Sequence, residues 1–321
     1  MAPAATLPTV DARPQKDPRS IPAVPDLDCE SYDSEDVLTQ DIIEGLKNAG
    51  LCVVRQIIKP EVRAKISSEL RPYTIDLAPT PGDFWPKETR KLTSMVSKSE
   101  TYALELVGHP VWQTVGNHFM TSTLKDYWNS EEITTSVSKP QLNNTQGFII
   151  GPGARAQGLH RDDFVHHNRQ PYAESHTLGR DTSIAFFLAD TPTTRQNGAT
   201  RFIPGSHLWD YDILPSEEAA VQPELQPGDG VMMLSGTYHG GSRNQTDESR
   251  AVWSAVTTRG WLRQEENQYI CNDVEKIKKL PIWLQRFCGY EMSKPFMGYV
   301  DLDDPIKVLH PGMKGDVDQF Y

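Results

Sequence analysis

Apolar residues recur at helical spacing near the start of the chain, which predicts an amphipathic helix ending at Gly50. Its apolar stripe consists of Leu38, Ile42, Leu46 and Ala49. Ser34 or Asp36 can cap the start of this helix. A second helix is predicted from Pro60, because proline suits the first helical position and apolar residues follow at every fourth position. Further helices are predicted over residues 99–107, 110–120 and 274–290.

The middle of the chain has a different pattern, with short runs rich in Val, Ile, Phe and Thr. Pro-Gly pairs at residues 152–153, 204–205 and 227–228 punctuate this region. Many short strands with such turns favour antiparallel sheets over alternating strands and helices. The predicted fold is therefore mainly β with flanking helices, in the form of a jelly roll. The strands are predicted over residues 51–54, 147–151, 183–188, 200–203, 230–234 and 251–256.

Length and composition suggest how the chain is divided. Residues 1–25 are rich in Pro, Ala and charged residues and have no apolar periodicity, so they offer little apolar surface to bury. We therefore expect residues 1–33 to form a flexible or surface-draped arm. The remaining residues, 34–321, are expected to form a single catalytic jelly-roll domain with helical decorations.

Charge and cysteine content narrow the classes of partner and location. The formal charge of −11 comes from 43 acidic and 32 basic residues, without a long block of Lys or Arg, so nucleic acid is not an expected partner. No apolar run approaches the roughly 18 residues of a membrane span, and the first residues do not resemble a secretory leader. The four cysteines are scattered. A soluble, cytoplasmic protein with reduced thiols is expected.

A histidine and a carboxylate stand two residues apart at His160 and Asp162. On an extended strand these side chains point to the same face, so both can reach one metal ion. A third ligand is available at His239. Two imidazoles and one carboxylate suit non-haem Fe(II) and leave three adjacent coordination positions open. The sequence therefore predicts a metal centre at these three residues.

Arg250 follows His239 after eleven residues, at the start of a predicted strand. A guanidinium is a planar fork that matches a carboxylate and stays charged when buried. Arg250 is therefore a candidate for binding a dicarboxylate. The alternative is an ordinary surface ion pair with Asp247 or Glu248.

Together, segments 157–163 and 197–207 with His239 and Arg250 resemble the phytanoyl-CoA hydroxylase-type Fe(II)/2-oxoglutarate-dependent dioxygenases. The likeness is greatest to the fungal branch that oxidises secondary metabolites such as meroterpenoids and alkaloids, and it extends over residues 84–260. It implies a double-stranded β-helix, a cupin-like jelly roll. It also implies that His160, Asp162 and His239 hold iron.

In the same resemblance, Arg250 binds the distal carboxylate of 2-oxoglutarate, while Gln157 and Thr200 help to seat it. The implied cofactors are Fe(II), the co-substrate 2-oxoglutarate and dioxygen. Hydrogen abstraction from an apolar small molecule can lead to hydroxylation, desaturation, epoxidation or rearrangement. Halogenation is disfavoured because Asp162 keeps the carboxylate ligand. The resemblance further implies a homodimer.

The wall of the substrate pocket is predicted to come from residues 83–98 and from the loop after Asp163. Phe84, Trp85 and Met95 are candidates for substrate contact, although aromatic pairs are more often part of a core. Two other functions stay open. A catalytically silent ligand-binding β-barrel would use these His and Asp residues structurally, and a Zn(II) hydrolase would use them as zinc ligands.

Overall fold

The computed structural model describes residues 21–78, 84–129 and 131–315 of the 321-residue chain. The strands are β1 (Asp26–Asp28), β2 (Leu51–Arg55), β3 (Thr89–Leu92), β4 (Ser122–Asn129), β5 (Glu132–Ser138), β6 (Gln141–Ile150), β7 (Ser183–Ala189), β8 (Arg201–Phe202), β9 (Gly230–Leu234), β10 (His239–Gly240) and β11 (Arg250–Thr258). The α-helices are α1 (Glu35–Ala49), α2 (Pro60–Leu70), α3 (Pro110–Met120), α4 (Gln268–Cys271), α5 (Val274–Ile277), α6 (Ile282–Phe287) and α7 (Ile306–Leu309).

A seven-stranded sheet forms the main layer, with the strand order β1-β2-β9-β7-β11-β6-β3. All neighbouring pairs in it are antiparallel except β1 with β2. Of the predicted N-terminal arm, residues 1–20 lie outside the described residues. The end of that arm contributes β1 to the edge of the sheet.

A second, short layer is built around β8 and β10, which pair antiparallel. An isolated bridge joins His160 to His239 on one side, and another joins Phe202 to Val221 on the other. Residues from both layers line one cavity. The two layers therefore have the arrangement expected of a jelly roll. The hairpin of β4 and β5 forms a separate two-stranded sheet.

Alternation along β11 separates the core from the cavity. Trp253 and Ala255 are buried in the main hydrophobic cluster, together with residues of α1 and α3. Val252, Ser254 and Val256 line the cavity instead. Because successive side chains of a strand point to opposite faces, β11 contributes side chains to both the core and the cavity. The helices thus cover one face of the main sheet, and the cavity lies on the other.

The C-terminus of α1 is tied to the segment before His239. Gly50 ends the helix in the left-handed region with φ of 76°, and its N–H donates to the Leu46 carbonyl. A Cβ at this position would clash with Thr237 Oγ1 and would lie 2.5 Å from His207 Nδ1. The Thr237 hydroxyl also donates to the Gly50 carbonyl at 2.9 Å. Only glycine permits this close approach.

Two predicted helices differ in the structure. The helix expected over 99–107 is a π-helix at Tyr102–Val107, where the Gly108 N–H donates to the Ala103 carbonyl. The segment 274–290 contains α5 and α6 rather than one helix, because Pro281 stands at the start of α6. Within the described ranges, no helix has the length and apolarity to cross a membrane.

Candidate metal and co-substrate site

The three predicted metal ligands converge. Pairing of His160 with His239 brings the two rings to a centroid distance of 4.5 Å. Asp162 lies between them, with Oδ1 at 3.6 Å from His160 Nε2 and Oδ2 at 3.5 Å from His239 Nε2. One ligand atom from each residue lies within 4.8 Å of the others. Residues far apart in sequence thus share one centre.

Backbone carbonyls orient both imidazoles. His160 Nδ1 lies 2.9 Å from the Gly158 carbonyl, and His239 Nδ1 lies 3.1 Å from the Thr237 carbonyl. A carbonyl oxygen can only accept, so each Nδ1 carries the hydrogen and each Nε2 keeps its lone pair. Metal-ligating histidines are commonly held in this way. Both lone pairs are therefore free for a metal ion.

The spacing predicts that Asp162 lies on a strand, but the structure differs. Asp162 is the first residue of a 3-10 helix, Asp162–His166. Arg161 before it is extended, with φ of −115° and ψ of 132°, so His160 and Asp162 still face one centre. Arg161 itself is buried, donates to the Ser206 carbonyl at 2.8 Å and stacks on Tyr238 at 4.2 Å. That anchor fixes the residue between the two ligands.

These three residues fit a divalent metal ion. Atoms that each lie ~2.1 Å from one ion are at most about 4.2 Å apart, and both carboxylate-to-imidazole distances are shorter than this. The donor set, two neutral imidazoles and one carboxylate, is the one that suits non-haem Fe(II).

Arg250 is a buried cation without a carboxylate partner among the residues that the structure describes. Its Nη2 donates to the Gly198 carbonyl at 2.8 Å, and its Nε has no partner. Only 4% of its surface is exposed, and burial lowers its pKa to about 10, so it stays charged at neutral pH. The alternative of a surface ion pair with Asp247 or Glu248 is therefore wrong. An uncompensated buried charge calls for an anionic ligand.

Gln157 and Thr200 line the same cavity as Arg250. The Gln157 Oε1 accepts a hydrogen bond from the Gly241 N–H at 3.1 Å, whereas its buried Nε2 has no partner. Buried polar groups are normally hydrogen-bonded. The free amide N–H groups are therefore available to a ligand in this cavity.

The cavity has a volume of about 580 Å³ and an aromatic wall. Phe84 and Trp85 line it, with ring centroids 5.2 Å apart, and the Phe84 and His160 rings form a T-shaped pair with centroids 5.1 Å apart. Phe164, just after the metal segment, lines it as well. Met95 does not, because its side chain is fully buried in the main core cluster. The structure therefore corrects the interpretation of Met95.

Among the charged residues that line the cavity, Lys91, Arg155 and Glu265 were not singled out from the sequence. Lys91 lies in the predicted wall segment 83–98, whose residue 83 is outside the described residues. Period-2 alternation is weak in the four-residue strand β3, so Lys91 could not be distinguished there. Glu265 comes from a loop after β11, where no local pattern predicts its position.

Comparison with known proteins agrees with this geometry. The family profile described as phytanoyl-CoA dioxygenase (PhyH) matches residues 46–252. The chain belongs to the phytanoyl-CoA dioxygenase family. The family and the enzyme class expected from the sequence are thus confirmed.

Two fungal dioxygenases resemble this family member over most of their length. Dioxygenase cnsJ of Penicillium expansum is 40% identical over 310 residues, covering 94% of this chain and 92% of the relative. Dioxygenase himG of Aspergillus japonicus is 36% identical over 294 residues, covering 88% of this chain and 90% of the relative. The expected likeness to fungal enzymes is confirmed.

Solved structures share the fold at low sequence identity. The epimerase SnoN, crystallised with Fe3+, alpha ketoglutarate and nogalamycin RO, has a TM-score of 0.53 and 17% identity, covering 70% of this chain and 85% of SnoN. HygX from Streptomyces hygroscopicus, with nickel and 2-oxoglutarate bound, has a TM-score of 0.51 and 12% identity, covering 71% of this chain and 89% of HygX. The predicted double-stranded β-helix is confirmed.

Proposed function

We propose that this family member is an Fe(II)/2-oxoglutarate-dependent oxygenase that oxidises a small natural product in fungal secondary metabolism. One observation carries the proposal: the uncompensated guanidinium of Arg250 lines the same cavity as the converging ligands His160, Asp162 and His239. The fungal dioxygenase relatives and the 2-oxoglutarate in the titles of the two solved structures support it.

In this proposal His160, Asp162 and His239 hold Fe(II). The hydrogen bonds at Nδ1 keep the two imidazoles in one orientation, and the carboxylate supplies a negative charge. When bound, Fe(II) supplies the redox chemistry that couples oxidative decarboxylation of 2-oxoglutarate by dioxygen to removal of hydrogen from the substrate.

The co-substrate would be held by residues at the inner part of the cavity. Arg250 would pair with the distal carboxylate through its fork of N–H donors, and Gln157 would donate from its unpartnered Nε2. Thr200 lines the cavity with them. Phe84 and Trp85 would shield the substrate from water at the aromatic wall, next to His160.

Iron content and succinate formation test the proposal. Protein loaded anaerobically with Fe(II) is expected to hold one iron per chain. In air it is expected to form succinate from 2-oxoglutarate in a reaction stimulated by fungal culture extract. Asp162→Ala should lose both properties because it removes the charged ligand. Asp247→Ala is the matched control, since Asp247 is an exposed aspartate close to Arg250 in sequence.

Other outcomes would contradict the proposal. Absence of stoichiometric metal would favour a silent ligand-binding barrel, and Zn(II)-dependent hydrolysis without succinate would favour a hydrolase. The kind of oxidation, whether hydroxylation, desaturation, epoxidation or rearrangement, would follow from the product. The homodimer and the division into residues 1–33 and 34–321 stay predictions, which light scattering and limited proteolysis can test.

A further inference from the structure

The cavity contains a positive charge that neither the metal ligands nor the co-substrate residues use. Lys91 lies on β3 and lines the cavity together with Thr89, two residues earlier. Among the described residues, its ammonium group has no hydrogen bond and no ion pair. The ammonium group instead lies over the faces of two aromatic rings, 4.3 Å from the Trp85 centroid and 5.8 Å from that of Phe148. Three N–H donors thus remain available to a ligand.

An aromatic path leads from the candidate metal centre to this ammonium group. Phe84 meets His160 at 5.1 Å and Trp85 at 5.2 Å, and Trp85 stacks on Phe148 at 5.3 Å. Strand pairing fixes the far end of the path, because Lys91 is the register partner of Phe148. A molecule that reaches from the metal centre to Lys91 therefore lies along these rings.

Asp162, Glu265 and Glu266 are the carboxylates that act on the charge of Lys91, and Glu265, which has the largest effect, has another partner. Its Oε2 accepts a hydrogen bond from Asn144 Nδ2 at 2.6 Å. Burial lowers the pKa of Lys91, and the negative charge of Glu265 acts in the opposite direction. The two groups face one cavity without forming an ion pair in the described structure. Of the two, Lys91 is the one that lacks a hydrogen-bonding partner.

A simpler role for Lys91 would be protection of a sheet edge. β3 is the last strand of the main sheet, and charged residues that point inward are one way to prevent edge-to-edge association. Arg90 on the same strand already places a charge on the face opposite the cavity, since it does not line the cavity. If Lys91 only protects the edge, its replacement should not change ligand binding. Binding measurements therefore distinguish the two roles.

We propose that Lys91 is a specificity-determining residue that binds an anionic oxygen group of the organic substrate. The substrate would then combine an aromatic or other apolar body, seated on Trp85 and Phe148, with a carboxylate or equivalent oxyanion at its far end. This inference rests on the proposed function, and it modifies the expectation of an apolar substrate.

Three naphthalene probes of matched shape test the inference: 2-naphthylacetate, 2-naphthylacetamide and 2-(2-naphthyl)ethylamine. Binding to the full-length protein is measured anaerobically with Fe(II) and saturating 2-oxoglutarate, so that a carboxylate probe cannot simply occupy the Arg250 site. We expect the acetate to bind at least about tenfold more tightly than the acetamide, because a charge-assisted hydrogen bond replaces a neutral one.

Variants test whether Lys91 causes the preference for the acetate probe. Lys91→Met should abolish it, and Lys91→Arg should retain it because the charge is kept. Arg90→Met is the matched control, since Arg90 lies on the face of β3 opposite the cavity, and it should leave the preference unchanged. Glu265→Gln should tighten acetate binding, because it removes a negative charge from the same cavity while an amide oxygen can still accept from Asn144.

Three results would overturn the inference: no preference for the acetate, a preference that survives Lys91→Met, or tighter binding of the amine. The last would make Glu265 the anchor and the substrate a cation. The same probes are also tested without Fe(II) and 2-oxoglutarate. If the protein fails to bind these cofactors while Lys91 still selects the acetate, the proposed function fails and the role of Lys91 stands.

Discussion

The buried guanidinium of Arg250 gives the most quantitative prediction. Burial lowers its pKa from the usual 12.5 to about 10, which corresponds to a cost on the order of 3 kcal/mol for keeping the charge in the ligand-free fold. A bound 2-oxoglutarate carboxylate would offset that cost. Arg250→Met removes the pair, and removing one partner of a buried charge pair costs roughly 2–5 kcal/mol. We expect the Kd for 2-oxoglutarate to rise about a hundredfold.

Anaerobic isothermal titration calorimetry of the Fe(II)-loaded protein measures this change. Iron affinity should be unaltered, since Arg250 is not a metal ligand. The ligand-free variant should be at least as stable as the original protein in thermal denaturation. Loss of the bond to the Gly198 carbonyl costs about 1 kcal/mol, whereas removal of the uncompensated buried charge is favourable.

Arg259→Met is the matched control for this experiment. Arg259 follows β11, is also buried, and donates to the Asp181 carbonyl at 2.6 Å, but it does not line the cavity. Its replacement should lower stability and leave 2-oxoglutarate affinity unchanged. An unchanged Kd in Arg250→Met, or an equal rise in Arg259→Met, would refute the assignment.

Two further predictions concern the fold around the site. Gly50→Ala should lower the free energy of unfolding by about 1–3 kcal/mol more than Gly153→Ala, as measured by urea denaturation. Both positions have positive φ, but only the Cβ at residue 50 would meet Thr237 and His207. Burial lowers the pKa of His207 from 6.5 to about 4, so the fold favours its neutral ring, and stability should fall as the pH drops below 6.5 towards 4. At the acid end of that range, the His207→Gln variant should have lost about 3 kcal/mol less stability than the original protein. Parallel stability curves for the two proteins would count against this account of His207.

Local sequence signals anticipated much of the fold. The helix α1 begins after Ser34, whose hydroxyl accepts from the Asp36 N–H, and ends at Gly50 as its caps indicated. The helices α2 and α3 begin at Pro60 and Pro110, as expected for proline at the first helical position. These features depend on neighbours within one turn, which is why the chain pattern is sufficient.

The site was only partly predictable, because its parts come together through tertiary structure. His160 and Asp162 were recognisable from their spacing, although the geometry comes from an extended Arg161 and a 3-10 helix rather than from a strand. Met95 was wrongly placed near the substrate, since closeness in sequence to Trp85 does not determine which way a side chain faces. Lys91 was missed for the same reason, as β3 is short and polar.

In the proposed function, the His-Asp-His centre and the Arg250 pocket act together on one iron and one keto acid. Anaerobic titration of the Fe(II) protein with 2-oxoglutarate, followed through the visible charge-transfer band of the chelated keto acid, tests it most directly. We predict a band that saturates at one equivalent per chain and is absent in Asp162→Ala. Stoichiometric iron binding with no band at saturating 2-oxoglutarate would contradict the proposed function.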